Sequence, residues 1–415
     1  MHNFEINSTQ IDKIKKITTE EKSFRIKNLE SFKTFGFPNK RLEDWKFSDF
    51  RDIINKNFEE LNTKKASSNI NKINLIKEFE HNYILLVNGN LHSSNFDYED
   101  KSKIKINSYD KSTDYQISKN PLVCLNHALA ENGYSLEVDK NYKFKKTLVI
   151  YNFFKEDTKN KILNTKNKIK LNENSELHIV EYSTNESNSK FINNVYENVI
   201  LEKNSKFKNL LIQRNKSNGF SHKFIKNKLY SNSVYSNLIF SSGLKFNKID
   251  IECDLIEENC SCNILSALFL KKDEHQEIKT LVNHLAPNCK SNQKVKNVLS
   301  SESKGVYQGK IFVKDIAQKT DAYQLSKALL LDDNAEFNSK PELEIYADDV
   351  KCSHGSSSGN LDHDSLHYLM TRGLSRNDST KLLITGFLNE IIEFIKSPSM
   401  KNFVESELEK QINGR

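Results

Sequence analysis

Leu171-Asn-Glu-Asn-Ser-Glu-Leu177 is the first copy of a turn that recurs along the middle of the chain and decides its fold. The shared form is apolar-x-x-Asn-small-x-apolar, and the further copies are Leu201-Glu-Lys-Asn-Ser-Lys-Phe207, Leu229-Tyr-Ser-Asn-Ser-Val-Tyr235, Ile256-Glu-Glu-Asn-Cys-Ser-Cys262 and Leu331-Asp-Asp-Asn-Ala-Glu-Phe337. The asparagines of these copies follow one another at intervals of 30, 28, 27 and 75 residues; they are Asn174, Asn204, Asn232, Asn259 and Asn334. A partial copy, Pro287-Asn288-Cys289, lies in the widest gap.

A turn repeated at this interval indicates a stack of similar coils. Asparagine adopts the left-handed backbone conformation more readily than most residues with a side chain, so each copy predicts a bend between two strands. Short strands at a period of roughly 25–30 residues are typical of a β-solenoid, and the interval of 75 is close to three coils. The alternative is a β-sandwich with coincidental asparagine turns, but sandwich turns usually recur about every 8–12 residues. We therefore predict a mainly β fold with a solenoid core and the five asparagines at its corners.

Helical patterns flank the repeat. Apolar residues from Ile11 to Phe32 recur at helical spacing and stop before Gly36, which predicts an N-terminal amphipathic helix. Near the other end, Ser375 and Asp378 form a capping box that opens a long helix. We expect Leu382, Leu383, Phe387 and Ile391 of this helix to pack its domain. The predicted organisation is a helical or mixed domain over residues 1–134, a β core over 135–350 and a helical domain over 351–415.

Composition and charge exclude several classes of function. Lys and Arg number 62 against 55 Asp and Glu, a net charge of +7 that is spread along the chain without a basic, aromatic-rich stripe. This pattern argues against nucleic-acid binding. The first residues lack the basic and apolar segments of a secretory signal, and apolar runs such as Ile84–Val87 are too short to span a bilayer. We expect a cytoplasmic protein with no membrane partner.

Six cysteines are the first candidates for chemistry. They are Cys124, Cys253, Cys260, Cys262, Cys289 and Cys352, and without a signal peptide they predict free thiols or ligands more than disulfides. Cys253, Cys260 and Cys262 form a C-x6-C-x-C arrangement whose thiolates could bind iron or zinc. Their spacing matches no tetrahedral zinc motif, so packing in the solenoid core is the favoured interpretation.

The run Asp348-Asp-Val-Lys-Cys-Ser-His-Gly355 is the second candidate. On a strand, Cys352 and His354 project from one face about 6.6 Å apart. A thiol and an imidazole suit iron or zinc, but two ligands do not close a site, so a partner chain would have to supply others. The alternative is a buried cysteine beside a hydrogen-bonded histidine.

Two further patterns are weaker. His363 and His367 lie four residues apart on a predicted helix, yet no H-E-x-x-H motif is present, so a solvated helix face is the favoured interpretation. The segment Gly305-Val-Tyr-Gln-Gly309-Lys310-Ile311 has three residues between its glycines and an Ile after the Lys. A P-loop needs four residues there and a Ser or Thr, so we predict that this chain binds no nucleotide.

Segments along nearly the whole chain resemble one family. They include Arg41-Leu-Glu-Asp-Trp-Lys-Phe47, Val87-Asn-Gly89, Ala317-Gln-Lys-Thr-Asp-Ala322, Lys340-Pro-Glu-Leu-Glu-Ile-Tyr346, the run ending in Cys-Ser-His-Gly355, and Arg372-Gly373. In these segments the chain is similar to the SufB/SufD family of iron–sulfur cluster assembly scaffold proteins, and its C-S-H-G and E-D-W-K forms match the SufD branch. Ser356, Ser357 and Ser358 depart from the family's usual Ala-Thr-Val.

The resemblance implies an architecture and partners. The family fold is a right-handed parallel β-helix between N-terminal and C-terminal helical regions. A SufD-type chain pairs with SufB through the β-helices, and its C-terminal helices dock the SufC ATPase. A homodimer in isolation is a further expectation.

The resemblance also implies a site. A nascent iron–sulfur cluster is expected at the SufB interface, with His354 as a metal ligand and Cys352 beside it. The chain itself is then a non-catalytic subunit. The alternatives from other classes are a β-helix carbohydrate-active enzyme or adhesin, and a metal hydrolase built on Cys352, His354 and His363.

Overall fold

The computed structural model describes most of the 415 residues, namely 4, 6, 8–14, 17–64, 66–67, 75–109, 118–185, 188–213 and 217–413. The helices in these ranges are α1 (Thr9–Asp12), α2 (Thr19–Phe35), α3 (Phe50–Asn57), α4 (Pro121–Leu129), α5 (His363–Thr371), α6 (Arg376–Ile392) and α7 (Pro398–Asn413). The low-complexity polar stretch over residues 62–71, whose composition predicts a loop, falls partly outside the described residues. None of the described helices combines the length and the apolar character that crossing a bilayer requires.

The strands occupy the middle of the chain. They are β1 (Asn82–Val87), β2 (Asn90–Asn95), β3 (Ile104–Ser108), β4 (Tyr134–Val138), β5 (Leu148–Phe154), β6 (Ile162–Leu171), β7 (Glu176–Asn185), β8 (Ile192–Leu201), β9 (Lys206–Gln213), β10 (Ser217–Leu229), β11 (Val234–Ser241), β12 (Leu244–Leu255), β13 (Ser261–Leu270), β14 (His275–His284), β15 (Lys290–Leu299), β16 (Lys304–Val313), β17 (Thr320–Leu330), β18 (Glu336–Ile345) and β19 (Val350–Asn360).

The strands form a parallel β-solenoid of about seven turns, as the turn repeat predicted. From β4 onward each strand pairs in parallel with the strand two positions along the chain, so odd-numbered and even-numbered strands build two facing sheets. Every coil contributes one strand to each sheet. Among the described strands, antiparallel pairs occur only where β1 meets β2 and β3 meets β4. The two sheets are therefore the walls of one continuous superhelix, and the sandwich alternative is wrong.

Asparagines form one corner of the solenoid. Left-handed φ values of 59° to 64° occur at Asn141, Asn174, Asn204, Asn232, Asn259 and Asn288. Their side chains stack: Nδ2 of Asn204 donates to Oδ1 of Asn174, and Nδ2 of Asn174 donates to Oδ1 of Asn141, each over 2.8 Å. Four of the five predicted corner asparagines are thus confirmed, and the partial copy at Asn288 belongs to the same column.

Asn334 is the exception, and the prediction for it was wrong. It lies in the turn between β17 and β18, which is at the opposite corner, and its φ is not positive. Lys319, with φ 58°, occupies the asparagine position in that coil. The interval of 75 residues was therefore a coincidence of sequence rather than three coils.

The flanking helices cover the outer faces of the two sheets. Trp45 and Phe50 pack with Phe246 of β12, on the outer face of the even-numbered sheet. On the other sheet, Ile384 and Leu388 of α6 lie in one apolar cluster with outward residues of the odd-numbered strands. The predicted helical ends are confirmed, and the strands β18 and β19 at the last coil of the stack stay largely exposed.

Candidate functional site

The uncovered end of the solenoid is formed by β18 and β19. Among the described strands, β18 pairs only with β16 and β19 only with β17, so each is an edge strand. Both are long, with 10 and 11 residues. Long exposed edges are unusual in monomeric proteins because their free N–H and C=O groups invite pairing with another chain.

The two edges differ in how open they are. Glu336 donates its backbone N–H to Ser303 O, so even-numbered residues of β18 pair with β16 and odd-numbered ones face the free edge. Pro341 is one of those odd-numbered residues and has no N–H to offer, a common device on edge strands. The strand β19 contains no proline. The edge of β19 is therefore the better template for an added strand.

Cys352 and His354 lie on β19 and face the space between the two sheets. They are in register with Ala322 and Gln324 of β17, whose side chains are buried inside the solenoid. Cys352 is half-buried against Ile311 and Val313, whereas His354 is exposed because no coil covers it. The predicted shared face of these two residues is confirmed.

The imidazole of His354 is available to a ligand. No hydrogen bond from a described residue reaches either ring nitrogen, so both can serve an external group. Burial and the nearby Asp321 raise the pKa of the Cys352 thiol, which keeps it protonated at neutral pH. A neutral imidazole offers a lone pair directly, whereas a thiol must first lose its proton. His354 is thus the more ready ligand of the two.

These residues do not close a metal site alone. Across the described ranges, no group of three or more His, Cys, Asp or Glu side chains is placed to hold a metal ion. A hydrolase built on Cys352, His354 and His363 is not supported, because His363 opens α5 beyond the end of β19 and joins no such group.

The glycine-rich segment from Gly305 to Ile311 forms the floor under this end of the solenoid. It is part of β16 and not a phosphate-binding loop. A Cβ at Gly309 would stand 2.3 Å from Oη of the buried Tyr307, so a larger residue there would force that side chain to move. Tyr307 and Gln324 are buried and fill that space one coil below His354.

Four of the remaining cysteines are core residues. Cys253, Cys260, Cys262 and Cys289 are all buried within the same apolar cluster of the solenoid interior. Burial raises the pKa of Cys253, and the Cys262 thiol hydrogen-bonded to it acts in the same direction. The favoured interpretation, packing rather than metal binding, agrees with these positions.

The helices α5 and α6 present a second surface. Large apolar side chains are exposed there at Tyr368, Met370, Leu374 and Leu382. Leu382 is 52% exposed, so the expectation that it packs the domain was wrong, whereas Ile391 is buried as predicted. The packing face is carried by Ile384 and Leu388 together with Ile391; Phe387 is partly buried against the same cluster, as predicted, and Leu383 is only partly buried. Sequence periodicity alone could not separate these two faces because both are apolar.

The predicted helix containing His363 and His367 is α5. Both histidines are exposed, as the solvated-face interpretation expected. His363 lines a cleft of about 660 Å³ between the solenoid turns and α6, together with Lys271 and Arg376.

Comparisons with known proteins agree on one family. The model described as SUF system FeS cluster assembly, SufBD core domain, matches residues 153–387. The chain is 24% identical to the iron–sulfur cluster assembly protein SufD of Escherichia coli over 394 residues, which cover 93% of this chain and 92% of that protein. It is 36% identical to an iron–sulfur cluster assembly SufBD family protein of Synechocystis over 163 residues, 38% of this chain and 35% of that one. It is also 43% identical to the chloroplastic protein ABCI7 of Arabidopsis thaliana over 96 residues, 23% and 20% of the two chains.

Proposed function

Because this chain belongs to the SufBD family of iron–sulfur cluster assembly proteins and is of the SufD type, we propose that it is a non-catalytic scaffold subunit working with SufB and the SufC ATPase. In this role it helps to build and pass on a nascent cluster, which is its cargo. The observation that carries the proposal is the open end of the solenoid, where the His354 imidazole, which no described residue hydrogen-bonds, projects from an unprotected edge strand.

SufB is proposed to dock on this open end. An added strand on β19 would satisfy the backbone groups that face the free edge. Docking there would also cover the exposed ends of the apolar interior, such as Ile345, which is 37% exposed. A cluster held between the two chains would then have His354 as one ligand, with the remaining ligands supplied from SufB.

SufC is proposed to dock on the α5–α6 surface. The four exposed apolar side chains there are more than the domain needs for its own packing, and contiguous apolar patches on a protein surface commonly mark an interaction site. Arg372 stacks over the Tyr368 ring at 5.1 Å and adds a positive charge to the rim. An apolar pocket with an acidic rim is the partner surface that would fit.

Point substitution is the appropriate test of this docking surface. Removing the helices altogether would uncover the apolar outer face of the odd-numbered sheet, so a truncated chain is expected to aggregate. Leu382→Asp instead places a charge on the proposed contact and leaves the buried residues of α6 in place. Phe35→Asp is the matched control, because Phe35 is 43% exposed at the end of α2, in the N-terminal helical region.

Co-expression with SufB and SufC supplies the measurement. We expect Leu382→Asp to lower SufC recovery by roughly tenfold with the amount of SufB unchanged, as a contact worth about 1.4 kcal/mol would require. Phe35→Asp should recover both partners in full. Undiminished SufC with Leu382→Asp would show that the ATPase docks elsewhere.

A further inference from the structure

Three serine hydroxyls lie in a row at the open end, next to His354. Ser326 of β17 is fully buried, and its Oγ is 2.7 Å from Oγ of Ser339 on the facing strand β18. Ser326 also donates to Oγ of Ser356 on β19, over 3.0 Å. The row therefore crosses the solenoid interior and ends at the exposed Ser356.

The direction of this hydrogen-bond chain follows from counting protons. Each hydroxyl has one hydrogen to donate. Since Ser326 gives its hydrogen to Ser356, it must accept from Ser339 in the 2.7 Å contact. No described residue accepts the hydrogen of Ser356, and hydrogen bonding along the row strengthens it as a donor.

The free donor of Ser356 lies beside the free acceptor of His354. The two residues are two apart on one face of β19, so their side chains project about 6.6 Å from each other. One ligand that reaches both must offer a metal ion to the imidazole and an electron-rich atom to the hydroxyl. A metal–sulfide group carries both in one ligand, whereas a bare metal ion offers no electron-rich atom to the hydroxyl hydrogen and an organic anion offers nothing to the imidazole lone pair.

We infer that Ser356 is a cargo-contacting residue that hydrogen-bonds a sulfide of the metal–sulfide group bound by His354. This inference rests on the proposed function and extends it to a second residue. A hydrogen bond to a cluster sulfur draws electron density from it and makes the cluster easier to reduce. Ser356 would therefore set the reduction potential of the cargo, and His354 its retention.

The test uses the complex of the full chain with SufB and SufC, loaded anaerobically with ferrous iron and sulfide. Ser356→Ala removes the donor, and Ser356→Thr keeps a hydroxyl at the same atom. Ser357→Ala is the matched control, because Ser357 is exposed on the same strand with its side chain on the opposite face. Complex recovery, iron and sulfide content and the reduction potential of the cluster are measured on each preparation.

We expect Ser356→Ala to shift the potential to more negative values, with Ser357→Ala at the wild-type potential and Ser356→Thr close to it. Equal potentials in the Ser356→Ala and Ser357→Ala complexes would overturn the inference. His354→Ala tests the proposed function separately from the role of Ser356. If it leaves iron and sulfide at wild-type content, the proposed function itself fails, whereas a loss of both with no effect at Ser356 removes only the role of Ser356.

Discussion

Asn232 shows how one residue type supports the whole stack. Its φ of 59° is costly for residues with a Cβ, and asparagine is one of the few that tolerate it. Its backbone N–H donates to Glu258 O of the next coil over 3.0 Å, so the corner also joins neighbouring coils. The same conformation recurs at every corner of this column from Asn141 to Asn288.

Replacing this asparagine tests the corner directly. We expect Asn232→Ala to lower the free energy of unfolding by about 1–2 kcal/mol, because alanine in the left-handed conformation is strained by that amount. Asn232→Gly should cost much less, since glycine adopts positive φ freely. Asn334→Ala is the control, because Asn334 has no positive φ. Urea unfolding of the three variants gives the comparison, and equal losses at positions 232 and 334 would contradict it.

Residue-level prediction succeeded where a local pattern decides the geometry. Alternation along one strand was enough to place Cys352 and His354 on the same face. The serine row was not foreseen, because Ser339 and Ser356 are joined only through Ser326, on three strands of two adjacent coils. No spacing within a single strand encodes that contact.

At the scale of single elements, β19 is defined by which of its backbone groups are free. Asp321 donates its N–H to Cys289 O, so odd-numbered residues of β17 face β15 and even-numbered ones face β19. In a parallel ladder, odd-numbered residues of β19 then pair with β17. The N–H groups of Cys352, His354, Ser356 and Ser358 consequently point to the free edge.

Proline substitution separates the two edges of β19. Ser358→Pro removes an N–H from the free edge, so we expect the chain to stay folded and to recover much less SufB on co-purification. Ser357→Pro removes an N–H that pairs with β17, so its main effect should be a lower unfolding midpoint. Full SufB recovery with Ser358→Pro would argue against strand addition on this edge.

The element α6 shows what sequence periodicity can and cannot decide. Its N-terminus was predicted from the capping box, and Ser375 Oγ indeed accepts the backbone N–H of Asp378 over 3.1 Å. Its orientation depends on contacts from another part of the chain, where Lys294 Nζ is 2.7 Å from Glu390. An ion pair with a strand about a hundred residues earlier in the chain cannot be inferred from the sequence pattern of α6 itself.

At the scale of the whole molecule, buried neutral histidines link stability to pH. Burial lowers the pKa of His284 to about 4, and burial with nearby lysines lowers that of His275 to about 3. Both values lie below the ordinary histidine pKa of about 6.5. As the pH falls below 6.5, the unfolded chain therefore binds more protons than the folded protein does. The contribution of these two neutral histidines to the free energy of unfolding is fully present above about pH 6.5 and is lost as the pH falls towards their folded-state pKa values of about 4 and about 3.

This linkage predicts a measurable loss of stability. We expect His284 alone to account for about 2 kcal/mol of the decrease in unfolding free energy between pH 8 and pH 5. In His284→Gln the decrease over that range should be smaller by about the same amount, because glutamine does not titrate. Urea unfolding at both pH values compares each protein with itself. An equal decrease in both proteins would show that His284 titrates as it does in the unfolded chain.

The overall fold could be predicted further than its details. A turn repeated at nearly constant intervals specifies a solenoid, because each coil must repeat the last. The flattening into two sheets was not predicted, since it depends on how inward residues of facing strands fill the interior. The wrong corner predicted for Asn334 has a different cause. Both corners of a coil use similar turn residues, so the spacing of turns along the sequence does not identify which corner a turn forms.

The central claim is that the open end of the solenoid holds a metal–sulfide cargo through His354. His354→Ala removes the imidazole but little buried apolar surface, so the complex with SufB and SufC should assemble in normal yield. Iron and sulfide per recovered complex should fall several-fold, and Cys352→Ser should have a smaller effect because the thiol is protonated. Reduced complex yield with normal cluster content would indicate a structural role for the histidine. An intact His354→Ala complex with wild-type iron and sulfide would contradict the account.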